Sequence, residues 1–233
     1  MRWLLLIIIV LTACSSYNDT NTTSASPTTS AKDTKTVVSK EGSGESEMEF
    51  ASTPQKPTAF SKEEEQYLLK LARSALDGSQ PPAKPTSTVL DENLGAFVTL
   101  KEHDNLRGCI GFIIGQGPLW REIPVLAKKA AYEDPRFMPV RTEEVPELNI
   151  EISIMTKLWQ MTSPEEIVVG EHGLLMIFGN CSGILLPQVA PEFGVDRYGF
   201  LEMVSQKAGL PSNTWKDPRA KIYLFAATVF GEN

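Results

Sequence analysis

The side chains that could carry nucleophilic, acid-base or metal chemistry in this chain are few. The 233 residues contain two histidines, His103 and His172, and three cysteines, Cys14, Cys109 and Cys181. The zinc-ligand spacings C-x2-C and H-E-x-x-H are absent from the sequence, so no standard zinc site is predicted. Glycine patterns typical of phosphate-binding loops or dinucleotide sites are absent too, which leaves the identity of any cofactor unknown.

Cys109 lies in "LRGCIG", inside a run with strand character. Strict alternation along a strand would place Arg107, Cys109 and Gly111 on one face. Because a neighbouring guanidinium favours the thiolate, this pattern predicts a reactive Cys109 with a lowered pKa, facing space left by Gly111. Arg107 would lower that pKa or bind an anionic group, and Gly108 would permit close backbone approach. The alternative is that Cys109 is a small, buried packing residue.

A second cysteine lies in "GNCSG", which matches the cysteine form of the nucleophile elbow, G-x-C-x-G. The elbow requires a helix directly after the nucleophile and a histidine later in the chain. Here "ILLPQV" follows with strand character, and no histidine lies beyond His172. We therefore interpret residues 179–183 as a hairpin turn.

The elements that must position these residues alternate irregularly between strands and helices. Ser61 and Glu64 form a capping box that predicts a helix ending at Gly78. "GAFVTLKEHDNLRGCIGFIIG" predicts one β-hairpin, and "GLLMIF" with "GILLPQV" predicts another. Further helices are predicted over residues 119–133 and 197–210, and strands over 149–155 and 221–230. Tight hairpins in this irregular order favour a single α+β domain.

The N-terminus is typical of a secretory signal peptide. A positive start at Arg2 precedes an apolar run over residues 3–11, which is too short to span a bilayer as a helix. Its ending, "LTAC", resembles the lipobox of bacterial lipoproteins, which implies cleavage before Cys14 and acylation of its thiol. Acyl chains contribute about 0.8 kcal/mol per buried CH2, so the mature protein would be anchored to the membrane without crossing it. An ordinary signal peptide or a short membrane anchor, with Cys14 incidental, is the alternative.

Composition divides the chain into a signal peptide (residues 1–13), a lipid-anchored linker (14–60) and one domain (61–233). Ser and Thr supply 18 of the 46 residues from Ser15 to Phe60, and such a segment is predicted not to build a packed core. Ser15 stands where an inner-membrane retention signal would place Asp. We therefore expect the protein to be anchored at the periplasmic face of the outer membrane if the cell has two membranes, and otherwise at the outer face of the cell membrane.

The predicted domain is acidic. It carries 23 acidic and 17 basic residues, a net charge of −6, and has no basic stripe. This balance argues against nucleic acid bound through its phosphates and against tight adsorption to anionic lipid. A small polar ligand or an envelope protein remains a possible partner.

Five segments resemble, in order and at compatible spacing, the motifs of the AMMECR1 family: "LRGCIG", "AAYEDPRF", "GEHGLLM", "SGILLPQVA" and "KAGLP". The resemblance covers residues from about 61 to the C-terminus. It implies an α+β domain with a curved, largely antiparallel sheet, flanking helices and internally repeated β and α units. The tripeptide "DPR", which begins at both Asp134 and Asp217, would fit such a repeat. No reaction is implied, because no biochemical activity has been firmly assigned to the family.

The resemblance also implies a cleft where the "LRGCIG" strand meets the neighbouring motifs. The ligand-binding residues expected there are Gly108, Gly111, Asp134, Arg136 and Gln188. An Asp134–Arg136 pair that only fixes a loop is the alternative reading. His172 matches the family's "HGL" and would be either an acid or base, or the cap of a turn.

Two cysteine positions depart from the family pattern. Cys181 stands where family members commonly carry Arg, and Ser205 stands where they commonly carry Cys. Cys109 is therefore the thiol that keeps its family position. Prokaryotic relatives often occur with a Memo-like protein and a radical S-adenosylmethionine enzyme, which implies a cytoplasmic modification system. An exported copy could not reach a cytosolic iron-sulfur partner, so that partnership is not expected here.

Three hypotheses follow for the function. The first is a thiol enzyme with Cys109 as the nucleophile or redox centre, assisted by Arg107 and His172. The second is a non-catalytic ligand- or protein-binding module of the cell envelope, in which Cys109 packs. The third is that Cys109 and Cys181 form a disulfide in an oxidising compartment.

Overall fold

The computed structural model describes residues 50–232, so the predicted signal peptide, Cys14 and most of the predicted linker lie outside the described residues. Within residues 50–232 no helix is both long and apolar enough to span a bilayer. The elements in chain order are α1 (Lys62–Asp77), β1 (Ala96–Glu102), β2 (Asn105–Phe112), α2 (Leu119–Tyr132), β3 (Leu148–Met155), β4 (Trp159–Gln160), β5 (His172–Phe178), β6 (Cys181–Leu185), α3 (Val189–Phe193), α4 (Arg197–Lys207) and β7 (Lys221–Gly231).

The strands form one antiparallel sheet in the order β2-β1-β3-β7-β5-β6, and the short strand β4 also pairs with β7. The sheet curls into a half barrel, which confirms the predicted α+β class. Its order reflects two units of the same construction, hairpin then helix then strand: β1-β2-α2-β3 and β5-β6-α4-β7. The last strands of the two units pair at the centre, where Met155 lies opposite Ala227. The sheet is therefore approximately two-fold symmetric about that pair.

Local sequence signals explain the first helix and both hairpins. The Ser61 side chain accepts from the Glu64 N–H and Gly78 ends α1 with φ 74°, as the capping box and the glycine predict. His103 and Asp104 form the first two-residue turn with φ of 47° and 65°, which residues with short polar or imidazole side chains tolerate. The second turn lies at Gly179, whose φ is 58°. Cys181 begins β6 directly after this turn, which confirms a hairpin and excludes the nucleophile elbow.

Three clusters of buried side chains form the core. Helices α1 and α2 cover one face of the β1, β2 and β3 half of the sheet, and α4 covers the same face of the β5, β6 and β7 half. The opposite face, here called the inner face, is buried because the sheet curls on itself. Its cluster joins residues of both halves: Phe97, Cys109, Met155, Leu158, Leu175, Ile184, Leu186, Tyr223 and Phe225.

The last residues of the predicted linker pack against the domain. The Ala51 N–H donates to the Leu158 carbonyl at 2.8 Å, where Ala51 forms a parallel bridge with β4. Further along, the Thr228 hydroxyl donates to the Thr58 carbonyl at 2.6 Å. The packed part of the chain therefore begins before the predicted boundary at residue 61. Composition alone did not predict these contacts, because a polar segment that binds through its backbone shows no apolar pattern in the sequence.

Candidate functional site

A β-bulge in the first hairpin separates Arg107 from Cys109. Gly108 pairs with Leu100 but Leu106 pairs with Lys101, so Arg107 is an extra residue on β2. Its guanidinium donates to the Met138 carbonyl at 2.8 Å and to the Glu144 carboxylate at 3.2 Å. Hydrogen bonds from Arg107 and from the Arg141 backbone lower the pKa of Glu144 to about 2. The prediction that Arg107 shares a face with Cys109 is therefore wrong, because the bulge interrupts the alternation.

The Cys109 thiol is buried in the inner cluster, where the residue is only 4% exposed. The Thr99 hydroxyl donates to its sulfur at 3.2 Å. Burial raises the pKa of Cys109, although the Thr99 hydrogen bond and the charge of Arg136 act in the opposite direction. This direction is the reverse of the predicted one, and it favours the neutral thiol over the reactive thiolate.

The two glycines of "LRGCIG" are explained by packing. A Cβ on Gly111 would lie 2.3 Å from the Phe97 ring, so this ring fills the space that the sequence seemed to leave open. A Cβ on Gly108 would lie 2.1 Å from the Ala130 carbonyl oxygen. Gly108 does permit a close backbone approach, as predicted, but the approaching backbone is that of helix α2.

Asp134 and Arg136 fix the "DPRF" segment to the edge of β2. The Cys109 N–H donates to Asp134 Oδ2 at 2.9 Å, and Arg136 Nη2 donates to the Cys109 carbonyl at 3.2 Å. The two side chains also form a fork, with Nε to Oδ1 at 2.9 Å and Nη2 to Oδ2 at 2.6 Å. The pair thus satisfies backbone groups that a neighbouring strand would otherwise take. This geometry is that of the loop-fixing alternative.

The charge state of Asp134 follows from these bonds. Burial acts to raise the pKa of the carboxyl group, but the hydrogen bonds from Arg136 and from the Cys109 N–H outweigh it and hold the pKa below its ordinary value. Asp134 is 5% exposed as a residue, so its charge depends on Arg136 for compensation.

The second "DPR" tripeptide repeats the Asp-Arg fork. Arg219 donates to Asp217 through Nε at 3.0 Å and Nη2 at 2.7 Å, matching the fork of the first unit. The Arg219 side chain is 70% exposed and lies over the Phe178 ring at 5.0 Å. In both units a glycine faces the helix, since a Cβ on Gly183 would lie 2.5 Å from the Ala208 nitrogen. The two units therefore share the Asp-Arg fork and the glycine that faces the helix. In the first unit the fork also bonds to the Cys109 backbone.

His172 lies away from this cluster, whereas Gln188 lies between Leu186 and Val189, which pack in or against the inner cluster. The Val168 N–H donates to His172 Nδ1 at 3.3 Å, and burial lowers the pKa of the imidazole. Its ring meets Trp159, a member of the cluster under α4, edge-on at 5.2 Å. The structure therefore does not bring His172 to Cys109, and the imidazole caps a turn. Gln188 is the N-cap residue of the short helix α3.

The structure does not form the hypothesised disulfide. Cys109 is a free thiol of the inner cluster. Cys181 packs in the separate cluster under α4, on the other face of the sheet. The two residues are unable to pair because the sheet lies between them.

Two residues, one beside Cys109 and one near Arg136, were not singled out from the sequence. Thr99 lies opposite Cys109 in the first hairpin. Counting strand pairs outward from the His103–Asp104 turn would have come within one residue of this pairing, because the bulge shifts the register by one. Lys207 ends α4, and its pKa is lowered by burial and by the positive charge of Arg136. No sequence pattern indicated this neighbour, because Lys207 belongs to the other unit of the domain.

Two described cavities lie away from Cys109. One, of about 300 Å³, lies where β1 begins and β2 and β3 end, and Gly95, Ile113, Gly115 and Thr156 are among its lining residues. The other, of about 780 Å³, lies beside β4. Neither of the two is lined by Cys109, Asp134 or Arg136. Among residues 50–232, no group of three or more His, Cys, Asp and Glu residues is placed to hold a metal ion.

The fold and the junction at "LRGCIG" define an α+β domain of two repeated units in which an Asp-Arg pair fixes one loop to the sheet edge. The family model described as AMMECR1 matches residues 69–230, and the chain belongs to this family.

Relatives and a solved structure agree with this assignment. The chain is 42% identical over 184 residues to the protein TK0174 of Thermococcus kodakarensis, covering 72% of this chain and 89% of the relative. An Aquifex aeolicus protein is 43% identical over 148 residues, covering 60% of this chain and 75% of that one. The crystal structure of the uncharacterized protein PH0010 from Pyrococcus horikoshii has a TM-score of 0.65 and 38% identity, covering 72% of this chain and 90% of that chain.

Proposed function

We propose that this protein is an exported, lipid-anchored protein of the cell envelope whose AMMECR1 domain binds a ligand or a protein partner without covalent chemistry. The observation that carries the non-catalytic part is the environment of Cys109. Its thiol is buried, accepts a hydrogen bond from Thr99 and has a raised pKa. A thiol nucleophile needs the opposite conditions, exposure and a lowered pKa.

The groups around Cys109 support the same proposal. Asp134 and Arg136 are engaged with each other and with the Cys109 backbone, and Arg107 is engaged with Glu144. A general base for the thiol would have to lie within hydrogen-bond reach of the sulfur, where the structure places Thr99. We therefore propose that Arg107, Asp134 and Arg136 hold the surface around residues 134–138 rigid.

The surface that this cluster holds is the proposed binding face. Met138, two residues after Arg136, is 81% exposed, and Arg107 holds its backbone carbonyl, so a fixed backbone presents an apolar side chain to solvent. Asp134 compensates the charge of Arg136, and Lys207, which lies within electrostatic reach of Arg136, adds positive charge from the other unit. A partner with an apolar anchor and an acidic group would match this face.

The proposed anchoring rests on the sequence, since Cys14 lies outside the described residues. The apolar run before "LTAC" and the Ser/Thr-rich segment after it support export, lipidation of Cys14 and a spacer between membrane and domain. Export also keeps the domain apart from a cytosolic partner enzyme.

Complementation of a deletion strain tests the proposal. Cys109→Ala and Cys109→Ser should fold and restore function, because the thiol only packs. Met138→Asp should fold but fail to restore function, since it places a charge in the centre of the binding face. Val125→Asp, at a 48% exposed position on α2, is the matched control and should behave like wild type. Loss of function in a folded Cys109→Ala protein would contradict the proposal and favour a thiol enzyme.

A further inference from the structure

We infer that the second unit carries a docking surface for a basic, partly apolar segment of another protein. This surface, here called the α3 face, consists of exposed apolar side chains on the turn before β5, on α3 and at the start of α4: Val168, Val169, Pro191, Phe193 and Tyr198. It is separate from the binding face around Met138 and does not depend on the function proposed above.

Exposed apolar side chains are concentrated on the α3 face. Among residues 50–232, nine large hydrophobic side chains are exposed, and four of them belong to this face. Phe193 is 58% exposed and Val168 is 44% exposed. Hydrophobic residues scattered singly over a surface are normal, whereas a group of them marks an interaction site. The α3 face is therefore a candidate protein interface.

Contacts between the three segments bring these side chains together. The Tyr198 hydroxyl donates to Glu165 Oε1 at 3.0 Å, which ties the start of α4 to the segment that leads into the turn. Gly170 of the turn lies beside α3, since a Cβ on Gly170 would be 3.4 Å from Pro191 Cγ. The turn thus lies next to α3 and close to the start of α4, so its valines share one surface with the exposed residues of both helices.

The backbone under the α3 face is held in place by hydrogen bonds. The His172 N–H donates to the Val168 carbonyl at 3.0 Å, and the Val168 N–H donates to His172 Nδ1 at 3.3 Å. Gly194 ends α3 with φ 63°, and its N–H donates to the Pro191 carbonyl at 3.1 Å. A surface that is already ordered loses little conformational entropy on binding, which favours a partner that docks without remodelling it.

Helix α3 is an addition to the repeated construction. The first unit joins β2 to α2 through residues 113–118, where the structure has no helix. The second unit joins β6 to α4 through residues 186–196, which include α3. Ala190 is the buried residue of this helix, while Phe193 points its exposed surface to solvent. The exposure of Phe193 is therefore not a consequence of building the core.

The charge around the α3 face indicates the chemistry of the partner. Residues 164–172 and 189–198 contain one basic residue, Arg197, and five acidic residues: Glu165, Glu166, Glu171, Glu192 and Asp196. Their net charge is −4 with His172 neutral, which is most of the −6 of the whole domain. All five acidic residues except Glu166 are exposed.

This acidic surround repels some classes of partner and attracts another. Anionic lipid headgroups and nucleic acid would meet like charge. A protein segment that carries apolar side chains between lysines or arginines would match both the apolar centre and the acidic surround, because complementary potentials favour encounter and suppress wrong partners.

Fluorescence anisotropy of the mature protein in phosphatidylcholine nanodiscs tests the inference, with empty nanodiscs as the reference. The probe is a fluorescein-labelled amphipathic peptide of leucine and lysine, and the comparison peptide carries glutamate in place of lysine. The basic peptide should bind saturably, with an affinity that falls as salt is added, and the acidic peptide should not bind.

Two variants test the two components of the α3 face. Phe193→Ser should weaken binding of the basic peptide about tenfold, as the loss of an apolar anchor does. The double variant Glu171→Gln, Glu192→Gln should also weaken binding and should reduce its dependence on salt. Val229→Ser and Glu143→Gln are the matched controls, at exposed positions outside this face, and both should bind like wild type.

Four results would overturn the inference. The first is that the basic peptide does not bind saturably, and the second is that folded Phe193→Ser binds it like wild type. The third is that phosphatidylglycerol vesicles bind the wild type but not Phe193→Ser, which would assign the face to anionic lipid. The fourth is that sedimentation shows self-association of the wild type but not of Phe193→Ser, which would assign the face to a second copy of the chain.

Discussion

Replacing Asp134 by alanine tests whether a single carboxylate fixes the "DPRF" segment to the sheet. The substitution removes both bonds of the fork with Arg136 and the acceptor of the Cys109 N–H. It leaves a largely buried guanidinium and a backbone donor without their partner. Removing one member of a buried ion pair costs about 3–5 kcal/mol, because the remaining charge stays desolvated.

The structure places the expected effect at the lower end of this range. The Arg136 side chain is 21% exposed and keeps its bond to the Cys109 carbonyl, so water can partly solvate it. We expect Asp134→Ala to lower the free energy of unfolding by about 3 kcal/mol. For a domain of this size that corresponds to a fall in Tm of about 6–12 °C.

Asp217→Ala is the matched control for this prediction. It removes the same Asp-Arg fork in the second unit, but Arg219 is 70% exposed and water can replace the lost carboxylate. Urea unfolding and thermal melts of both variants at pH 7 provide the comparison. Equal destabilisation by the two substitutions would refute the reasoning, since Asp134 is buried and bonded to the Cys109 backbone, whereas the partner of Asp217 is largely exposed.

The pH dependence of the same pair has a definite sign. The pKa of Asp134 in the folded protein is lowered below its ordinary value of 3.8. The stabilisation is therefore complete above pH 3.8 and is lost as the pH falls from 3.8 through the folded pKa. The difference in unfolding free energy between wild type and Asp134→Ala should shrink over this acidic range. A difference that stays constant would contradict the assignment.

Three further predictions concern the thiol, the helix contact and the anchor. Iodoacetamide should modify Cys109 slowly in the folded protein and rapidly in urea, because burial raises its pKa and restricts access; rapid native labelling near neutral pH would contradict this. Gly108→Ala should destabilise the protein by about 1–3 kcal/mol or more in urea unfolding, as its Cβ would overlap the Ala130 carbonyl, while Gly179→Ala, with open space around its Cβ, should cost only about 1 kcal/mol of backbone strain. Cys14→Ala should abolish incorporation of a fatty-acid label and release the protein from membranes, and unchanged labelling would exclude Cys14 as the acylated residue.

The sequence predicted the elements whose signals are local. Helix α1 begins after Ser61 and ends before Gly78, as its capping box and glycine predict. Helix α2 ends before Asp134-Pro135, because proline disfavours helical backbone at the preceding residue. The alternating run predicted over residues 149–155 is strand β3, which begins one residue earlier. These features depend on interactions between residues a few positions apart.

The candidate site was predicted only in part. The structure brings "LRGCIG" and "DPRF" into contact, since Asp134 and Arg136 both bond to the Cys109 backbone. The face shared by Arg107 and Cys109, predicted from alternation, was wrong, because one bulged residue redirects Arg107 to Glu144. A bulge depends on the fit between strands, and strand alternation alone does not show where it falls.

The sequence by itself determined the α+β class, the family, the helices, the hairpins and the segments that meet at Cys109, because caps, turns and apolar patterns act over short distances. Only the tertiary structure decided the environment of that thiol. Phe97 fills the space beside Gly111, the sheet separates Cys109 from Cys181, and burial raises the pKa of the thiol. Burial and electrostatics are set by neighbours distant along the chain, so the same six residues that suggested a reactive thiol instead support a packed one.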